Sequence, residues 1–392
     1  MIENRSVDVA DGKGSAAADL IEAATLFAER ELGPIVAEYD REERLPREQL
    51  EEMGRLGFLG GTVPEAEGGQ GLAYSDFVAL LEGVSLTCHS VATVVSMPSG
   101  LLGAGLLRHG SEEQKQRWLR PLARGELFGA AAITEPDSGS DLSAIRTAYR
   151  RDGDDFVLDG RKAWISNLDV ASFLLTFACA EPDVKGAPVT AFLIPADSAG
   201  LTLSPYRDKL GFRPLCVGDV GLDGVRVPAD AVLGEEGEGL RIAMGAVERG
   251  RIGVAARCLG ITAACLADTV GYARERRAFG KAIAEFQLVQ SAITEMRVGL
   301  TTAQLLTQES ARAFDAGIPT RQLSSMAKMH AADVACRSAG DAVRVLGAAG
   351  VSSEQRVGRL FRDAKVMQTV EGPNDLHRAL IAEIELGLRR SG

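Results

Sequence analysis

The stretch FQLVQSAITEMRVGLTTA, residues 286–303, repeats its apolar side chains at a spacing of three and four residues. The repeating positions are Phe286, Val289, Ile293, Met296, Leu300 and Ala303. At 3.6 residues per turn these side chains share one face, which predicts a helix packed against other helices. A second long helix is predicted from Pro319-Thr320 to about Leu346. The last third of the chain is therefore expected to form a helix bundle.

The chain before this bundle changes character twice. From about Leu127, short apolar or alternating runs are separated by Asp-Gly, Pro-Asp and Gly pairs, which is typical of strands and turns. These runs are Phe156–Leu158, Phe173–Phe177, Val189–Ile194 and Val217–Leu222. The first third is predicted to be helical, beginning with an apolar stripe that ends at Gly33-Pro34. Another helix start is predicted at Ser111, which Glu113-Gln114 follow. We expect an α+β multidomain chain with a helical domain at 1–126, a β domain at 127–238 and a helical bundle at 239–392.

Composition excludes several classes of protein. The 392 residues include 43 Lys and Arg against 54 Asp and Glu, a net charge of −11, which gives no general reason to bind nucleic acid or an anionic membrane. The stretch Gly83–Leu107 lacks charged residues, but its hydroxyl side chains and Pro98 favour buried helices with a break over a membrane span. The N-terminus has no apolar signal-peptide core, and the six scattered cysteines fit a reducing cytoplasm.

Common catalytic motifs are absent from the sequence. There is no Walker loop, no Gly-x-Gly-x-x-Gly turn between a strand and a helix, no serine elbow and no His-Glu-x-x-His helix. The cysteines and the four histidines also lack metal-ligand spacing, so no metal site is expected. Nucleophilic and metal-dependent hydrolysis both lack the residues that they need.

Two local groups in the middle third can contact a ligand. ITEPDSGSDLSAIRT, residues 133–147, offers the hydroxyls of Thr134 and Ser140 to a polar ligand, or it simply joins two domains. KAWISN, residues 162–167, carries Trp164, which either stacks on a planar ring or fills the β core.

Two further groups lie in the last third. ARERRAFGKAIAEFQ, residues 273–287, clusters arginines that suit a pyrophosphate, or that form a solvated helix face. RDAKVMQTVEGPNDLHRALI, residues 362–381, places Glu371 before Gly372-Pro373, where it is either a base or an anion at a helix start.

In their order and spacing, these groups resemble the acyl-CoA dehydrogenase family from about residue 20 to 389. Further matching segments are PEAEGGQGL (64–72), HGSEEQKQRWLRPLARGE (109–126), DKLGFR (208–213), VRVPADAVLG (225–234) and AVERGRIGVAARCLG (246–260). The resemblance implies an N-terminal helical domain, a middle β-barrel-like domain and a C-terminal four-helix bundle. It also implies FAD as cofactor, a homotetramer or homodimer, and oxidation of an acyl thioester to the α,β-enoyl thioester.

The resemblance assigns roles to individual residues. Glu371 matches the base that takes the α-proton while the β-hydrogen leaves as hydride to flavin N5; the alternative base position of the family is Gly250 here, which has no carboxylate. The α-proton beside a thioester is a very weak acid. Its removal needs an aligned base with a pKa that burial has raised. The expected FAD contacts are Ile133, Thr134, Ser140, Trp164, Ser166, Arg276, Phe279 and Gln287, the last three often from a neighbouring subunit. The expected substrate contacts are Ser140, Glu248 and Arg251, with a structural ion pair as the alternative for Arg251.

The sequence also departs from the family pattern. Ala278, Arg344 and Pro373 replace a common Thr, Gln and Thr or Ser, and the turn at Gly347 reads GAAG. Each change alters one FAD contact, and Arg344 can compensate as a partner for pyrophosphate. The expected FAD contacts thus extend to Arg344, Gly347, Pro373 and Asp375.

The leading hypothesis is acyl-CoA dehydrogenation, with electrons passed to an acceptor such as electron-transfer flavoprotein. Three other functional hypotheses remain. The same oxidation can act on an acyl or aminoacyl group held by a carrier protein, for which a chain of charge −11 needs a local basic patch. A flavin monooxygenase on the same fold is disfavoured because Glu371 is present. A non-catalytic scaffold is disfavoured by Glu371, Trp164 and Arg276 together.

Overall fold

The first third of the chain folds as the sequence predicts, into a set of helices. The structure, a computed structural model, describes residues 14–389. The helices are α1 (Gly14–Phe27), α2 (Val36–Glu42), α3 (Arg47–Arg55), α4 (Tyr74–Ser85), α5 (His89–Ser96), α6 (Leu101–His109), α7 (Glu112–Gln114) and α8 (Arg120–Ala123). A π-helical turn extends α1 to Leu32, next to the predicted stop at Gly33. The predicted helix start at Ser111 is confirmed, because Ser111 and Gln114 form a reciprocal capping box.

The middle third forms one eight-stranded sheet. Its strands are β1 (Phe128–Ala132), β2 (Ala148–Asp152), β3 (Asp155–Ser166), β4 (Ala171–Cys179), β5 (Val189–Pro195), β6 (Leu201–Pro205), β7 (Val217–Pro228) and β8 (Val232–Leu233). They are ordered β6-β7-β3-β2-β4-β5-β8, and β1 pairs in parallel with β4. The four apolar runs that predicted strands all lie within strands.

The two faces of strand β4 explain where the β domain sits. Phe173, Leu175 and Phe177 alternate onto the face that packs against the N-terminal helices α6 and α8. Leu174 and Ala178 point the other way, into a core shared with strands β3, β5 and β7. Because strands from both ends of the sheet order meet in this core, the sheet folds over on itself, as a barrel-like domain requires.

The last third is helical again, as predicted. It contains α9 (Gly239–Glu275), a two-stranded hairpin of β9 (Arg277–Ala278) and β10 (Lys281–Ala282), α10 (Gln287–Asp315), α11 (Arg321–Leu346), α12 (Ala348–Val351), α13 (Val357–Met367) and α14 (Asn374–Glu385). Helices α9, α10, α11 and α13 pack together, and α14 packs on α11. On α10, Met296, Leu300 and Ala303 are buried as the apolar spacing predicts.

Two helical stretches, His89–His109 and Gly239–Glu275, are long and apolar enough to cross a membrane by length and composition alone. Their apolar windows are 67% and 83% buried within the protein, as in core helices of a soluble fold. The first stretch is also interrupted around Pro98, between α5 and α6, where the sequence predicts a break. Both stretches therefore serve the core, in which α9 shares one hydrophobic cluster with α1, α4, α5, α10 and α11.

The loop between β6 and β7 joins the β domain to the bundle. The backbone N–H of Phe212 donates to Asp363 Oδ1 on α13 at 2.5 Å, and His89 on α5 contacts the other oxygen of that carboxylate. Burial alone would raise the pKa of Asp363, but the interactions with His89 and the hydrogen bond from the Phe212 N–H outweigh it, so this pKa is lowered. The β6–β7 loop and α5 are thus both fixed to α13, the helix that ends four residues before Glu371.

Candidate active site

Glu371 lies in a tight turn between α13 and α14. Its φ is +52° and that of Gly372 is +93°, so two successive residues adopt the left-handed region. Lys328 on α11 holds this turn: its ammonium donates to the carbonyl of Gly372 at 2.8 Å and to Asn374 Oδ1 at 2.9 Å. Lys328 is fully buried, and burial lowers the pKa of its ammonium to about 8.

His377 supports the same turn from the first turn of α14. Its Nε2 lies 3.2 Å from the carbonyl oxygen of Glu371. Burial lowers the pKa of His377 to about 4, so the ring is neutral at pH 7. A neutral ring with its proton on Nε2 donates to that carbonyl, which helps to fix the backbone of Glu371.

The carboxyl group of Glu371 faces Gly250 on α9. A Cβ atom built on Gly250 would lie 2.6 Å from Cδ and from Oε2 of Glu371, closer than such atoms approach in proteins. Glycine at position 250 therefore makes the room that the Glu371 carboxyl occupies. The two positions that the family resemblance describes as alternative sites for a base are direct neighbours here.

Burial and charge act on this carboxyl in opposite directions. The side chain of Glu371 is accessible to solvent in the isolated chain, but protein atoms crowd it, and this desolvation raises the pKa of its carboxyl. The positive charges of Arg257, Arg251 and Lys328 oppose that rise. A carboxyl whose pKa burial raises, while nearby cations help to keep it ionised, is suited to accept a proton.

The two expected substrate contacts on α9 have partners within the chain. Arg251 Nη1 donates to Ser325 Oγ at 3.0 Å, and the guanidinium interacts with the charges of Glu371 and Glu248. Glu248 accepts a hydrogen bond of 2.5 Å from the hydroxyl of Thr320, the N-cap of α11. Glu248 thus braces the start of α11.

The loop after β1 and the end of β3 come together, as their expected common role requires. The backbone N–H of Ala163 donates to the carbonyl of Thr134 at 2.9 Å, which sets Trp164 beside the 133–147 loop. Trp164 has a φ of +59° and is 65% exposed, and its ring meets Tyr206 edge-on at 4.7 Å. Ser140 is exposed, Ile133 and Thr134 are half-buried, and Ser166 pairs with Val217.

A buried ion pair fixes this loop. Lys162 Nζ lies 2.7 Å from Glu135 Oε1 and also donates to the carbonyl of Ile133 at 3.2 Å. The carboxylate of Glu135 also accepts from the backbone N–H groups of Arg146 and Thr147, at 2.7 and 2.9 Å. The two ends of the loop and strand β3 therefore share one buried carboxylate.

Three of the other expected FAD contacts, Arg276, Phe279 and Gln287, lie far from Glu371 within one chain. Arg276 follows the end of α9, 26 residues after Gly250, or about 39 Å along a helix. Phe279, 95% exposed, is at the tip of the β9–β10 hairpin, and Gln287 opens α10. Of the remaining positions, Arg344 pairs with Asp341 at 2.7 Å, Gly347 has a φ of +61°, Pro373 is the N-cap of α14 and Asp375 pairs with Arg378.

Four residues that support the site were missed by sequence reasoning: Lys162, Lys328, His377 and Arg257. Lys162 and Lys328 meet partners that are 27 to 46 residues away, so no local spacing marks them. A signal did exist for Arg257, because it is the only charged residue in the run Ile252–Ala267. A single charge inside an apolar helix points to a function or to a buried partner.

The accessible residues fit the cofactor that the resemblance implies. Trp164 presents an exposed aromatic ring, and the adjacent 133–147 loop carries the hydroxyls of Thr134 and Ser140, a set that suits a planar ring system with polar edges. Arg276 offers a guanidinium of the kind that binds a pyrophosphate.

Comparisons with known proteins cover all three parts of the chain. The family models described as the N-terminal, middle and C-terminal domains of acyl-CoA dehydrogenase match residues 16–126, 130–225 and 237–386. The mitochondrial short-chain specific acyl-CoA dehydrogenase of Homo sapiens is 38% identical over 363 residues, which cover 93% of this chain and 88% of that protein.

Solved structures are similar over nearly the whole chain. The structure of a glutaryl-coenzyme A dehydrogenase in complex with glutaryl-CoA has a TM-score of 0.93 at 32% identity, covering 98% of each chain. A chain in a structure of the electron transferring flavoprotein of Acidaminococcus fermentans has a TM-score of 0.92 at 32% identity, covering 97% of this chain and 99% of that one. The chain therefore belongs to the acyl-CoA dehydrogenase family of FAD-dependent oxidoreductases.

Proposed function

We propose that Glu371 is the base of an acyl-CoA dehydrogenase, taking the α-proton of the acyl group while the β-hydrogen leaves as hydride. The observation that carries this proposal is the contact between the Glu371 carboxyl and Gly250, in a pocket where burial raises the pKa of that carboxyl. FAD, when bound, supplies the hydride acceptor at flavin N5. The chain itself holds and orients the base through Lys328 and His377.

The test replaces Glu371 with Gln, which keeps the size of the side chain but cannot accept the proton. A positioned base contributes about 10²–10⁴-fold, so flavin reduction by substrate is expected to slow at least about 10²-fold while FAD stays bound. Stopped-flow bleaching of the flavin measures this rate. Glu385→Gln is the matched control, because Glu385 is exposed on α14 and Gln can still accept the hydrogen bond from Gln322. Flavin reduction at the native rate in Glu371→Gln would place the base elsewhere.

A swapped variant sharpens the test. Glu371→Gly combined with Gly250→Glu moves the carboxylate across the contact without the clash that a Cβ at position 250 makes with Glu371. The glycine also suits the left-handed backbone at position 371. Part of the activity lost in Glu371→Gly is expected to return. No recovery in a folded, FAD-loaded swap would mean that only the turn can present the base.

FAD is proposed to bind between subunits of a homodimer or homotetramer. The subunit that supplies Glu371 also supplies the FAD contacts Ile133, Thr134, Ser140, Trp164 and Ser166. Either subunit can supply the candidate contacts Arg344, Gly347, Pro373 and Asp375. Arg276, Phe279 and Gln287 serve from a neighbour, since about 39 Å of helix separates Arg276 from Gly250. The exposed apolar side chains of Phe279, Leu288 and Leu305 favour such an interface.

The partners and the location follow from the same function. We infer electron-transfer flavoprotein as the electron acceptor and the cytoplasm as the compartment. We also propose domains at 1–126, 127–238 and 239–392, because β1 begins at Phe128 and α9 begins at Gly239. Ser140, Glu248 and Arg251 remain the proposed substrate contacts. Delivery of the acyl group by a carrier protein is the alternative, and it requires a basic docking patch on a chain of net charge −11.

A further inference from the structure

Arg257 is a charged residue in an otherwise apolar part of α9. It is only 6% exposed, and its helix neighbours Ala256 and Cys258 are completely buried. Removing a guanidinium from water costs several kcal/mol unless an opposite charge compensates it. The position of Arg257 therefore requires a partner.

The partners of Arg257 within the chain are neutral. Its Nη1 donates to the hydroxyl of Thr93 on α5, and its Nε donates to the carbonyl of Gly253 at 3.3 Å. Within residues 14–389, no carboxylate oxygen lies within 4.0 Å of its guanidinium. The carboxylate whose charge it does sense is that of Glu371, which also faces Arg251 and Lys328. Arg251 also interacts with the charge of Glu248 and Lys328 with that of Asp333, whereas within residues 14–389 no second carboxylate acts on Arg257.

The orientation of Arg257 places its guanidinium beside the acyl site. Gly250 and Arg257 are seven residues, or two turns, apart on the same face of α9. The bond from Nε to Gly253 turns the side chain back by about one turn, toward Gly250 and Glu371. Thr93 and Arg257 keep 7% and 6% of their surface accessible, whereas the adjacent Ala92 and Ala256 keep none.

We propose that Arg257 binds a carboxylate at the far end of the acyl group, so that the enzyme oxidises thioesters of short dicarboxylic acids in preference to uncharged ones. This inference rests on the proposed function, because the reacting carbons must lie at Glu371 for the distal end to reach Arg257. The remaining span of about one helical turn, roughly 5–6 Å, fits an acyl chain of the succinyl to adipoyl range. A bidentate carboxylate supplies the charge that Arg257 lacks within the chain.

The same charge selects against another class of acyl group. An aminoacyl thioester carries an ammonium, which would enter the pocket that Arg257 faces, and the hydrogen-bond partners of Arg257 are neutral. Like charges in a buried pocket cost several kcal/mol. Arg257 thus disfavours aminoacyl groups, on CoA or on a carrier, and favours acidic ones.

The test compares glutaryl-CoA with its uncharged half-amide, which has the same shape, as substrates of the FAD-loaded enzyme. The native enzyme is expected to prefer the carboxylate by at least about 30-fold in kcat/KM, as for a buried, hydrogen-bonded charge pair. Arg257→Gln should bring the ratio close to one, and Arg257→Lys should restore part of it. Any effect of a substitution on the base Glu371 acts on both substrates alike, so it cancels in the ratio of their kcat/KM values. Arg249→Gln, a change of the arginine two turns earlier on α9, is the matched control and should keep the native ratio.

Two results would overturn the inference, and only the second of them would also contradict the proposed function. If the native enzyme oxidises the half-amide or butyryl-CoA at least as well as succinyl-, glutaryl- and adipoyl-CoA, the dicarboxylic preference is wrong while the dehydrogenase function stands. If no thioester, acidic or neutral, bleaches the flavin, the proposed function fails and the inference fails with it.

Discussion

At Glu371 the balance between burial and charge sets the pH at which the base works. Burial raises the pKa of the carboxyl, and Arg257 is the cation that opposes this rise most. A protonated carboxyl cannot accept the α-proton, so activity is lost as the pH falls through this pKa. Arg257→Gln removes the opposing charge and is expected to shift the acid limb of kcat/KM for butyryl-CoA to higher pH. An acid limb that stays in place would mean that Arg257 does not act on the base.

Lys328 is the residue on which the backbone of the Glu371 turn depends. Lys328→Met fills a similar volume but leaves the carbonyl of Gly372 and Asn374 Oδ1 without their donor. Each unpaired buried acceptor is expected to lower the free energy of unfolding by about 1–3 kcal/mol. Denaturant melts of the FAD-loaded protein measure the loss. Lys365→Met is the control, since Lys365 is exposed and donates only to Gln368, and it should change the stability by less than about 0.5 kcal/mol.

At the scale of elements, the Glu135–Lys162 pair joins the 133–147 loop to β3. Lys162→Met leaves a buried carboxylate without its cation, which is expected to cost about 3–5 kcal/mol of unfolding free energy. The loop also loses its anchor at the carbonyl of Ile133, so FAD retention on a desalting column should fall as well.

The control for this prediction is a pair of the same type at the surface. Arg146 and Asp183 lie 2.9 Å apart, with both side chains largely exposed. Water screens such a pair, so Arg146→Met should cost at most about 1 kcal/mol. Equal losses in the two variants would contradict a special role for the buried pair.

The elements themselves were predictable because local spacing decides them. The three-residue and four-residue repeat around Met296 predicted the buried face of α10, and Ser111 predicted a helix start that the structure confirms. The arrangement of the site was less accessible, because Lys162 and Lys328 act on partners distant in the sequence. The contact between Glu371 and Gly250 likewise depends on how α9 packs beside the α13–α14 turn, and no local sequence pattern encodes that packing.

For the whole molecule, the distance between Glu371 and Arg276 has a consequence for assembly. If one FAD needs both residues and about 39 Å of α9 separates their neighbourhoods, each active site must combine two subunits. Light scattering is expected to give a multiple of 41.4 kDa for the FAD-loaded protein. Arg276→Glu should weaken FAD binding without unfolding the chain, because Arg276 is exposed.

Subunit complementation tests the shared site directly. Glu371→Gln lacks the base and Arg276→Glu lacks the FAD contact, so each homo-oligomer is expected to be nearly inactive. In a mixed dimer one site collects both defects, while the other receives an intact Glu371 from one subunit and an intact Arg276 from its partner. Random pairing of equal amounts makes half of the dimers mixed, so co-expression should restore about one quarter of the native activity. As a control, the Glu371→Gln chain is co-expressed with a chain that carries both substitutions. No subunit then has an intact Glu371, so the recovery of activity should be abolished. If co-expression of the single variants restores no activity although mixed dimers form, the site lies within one chain.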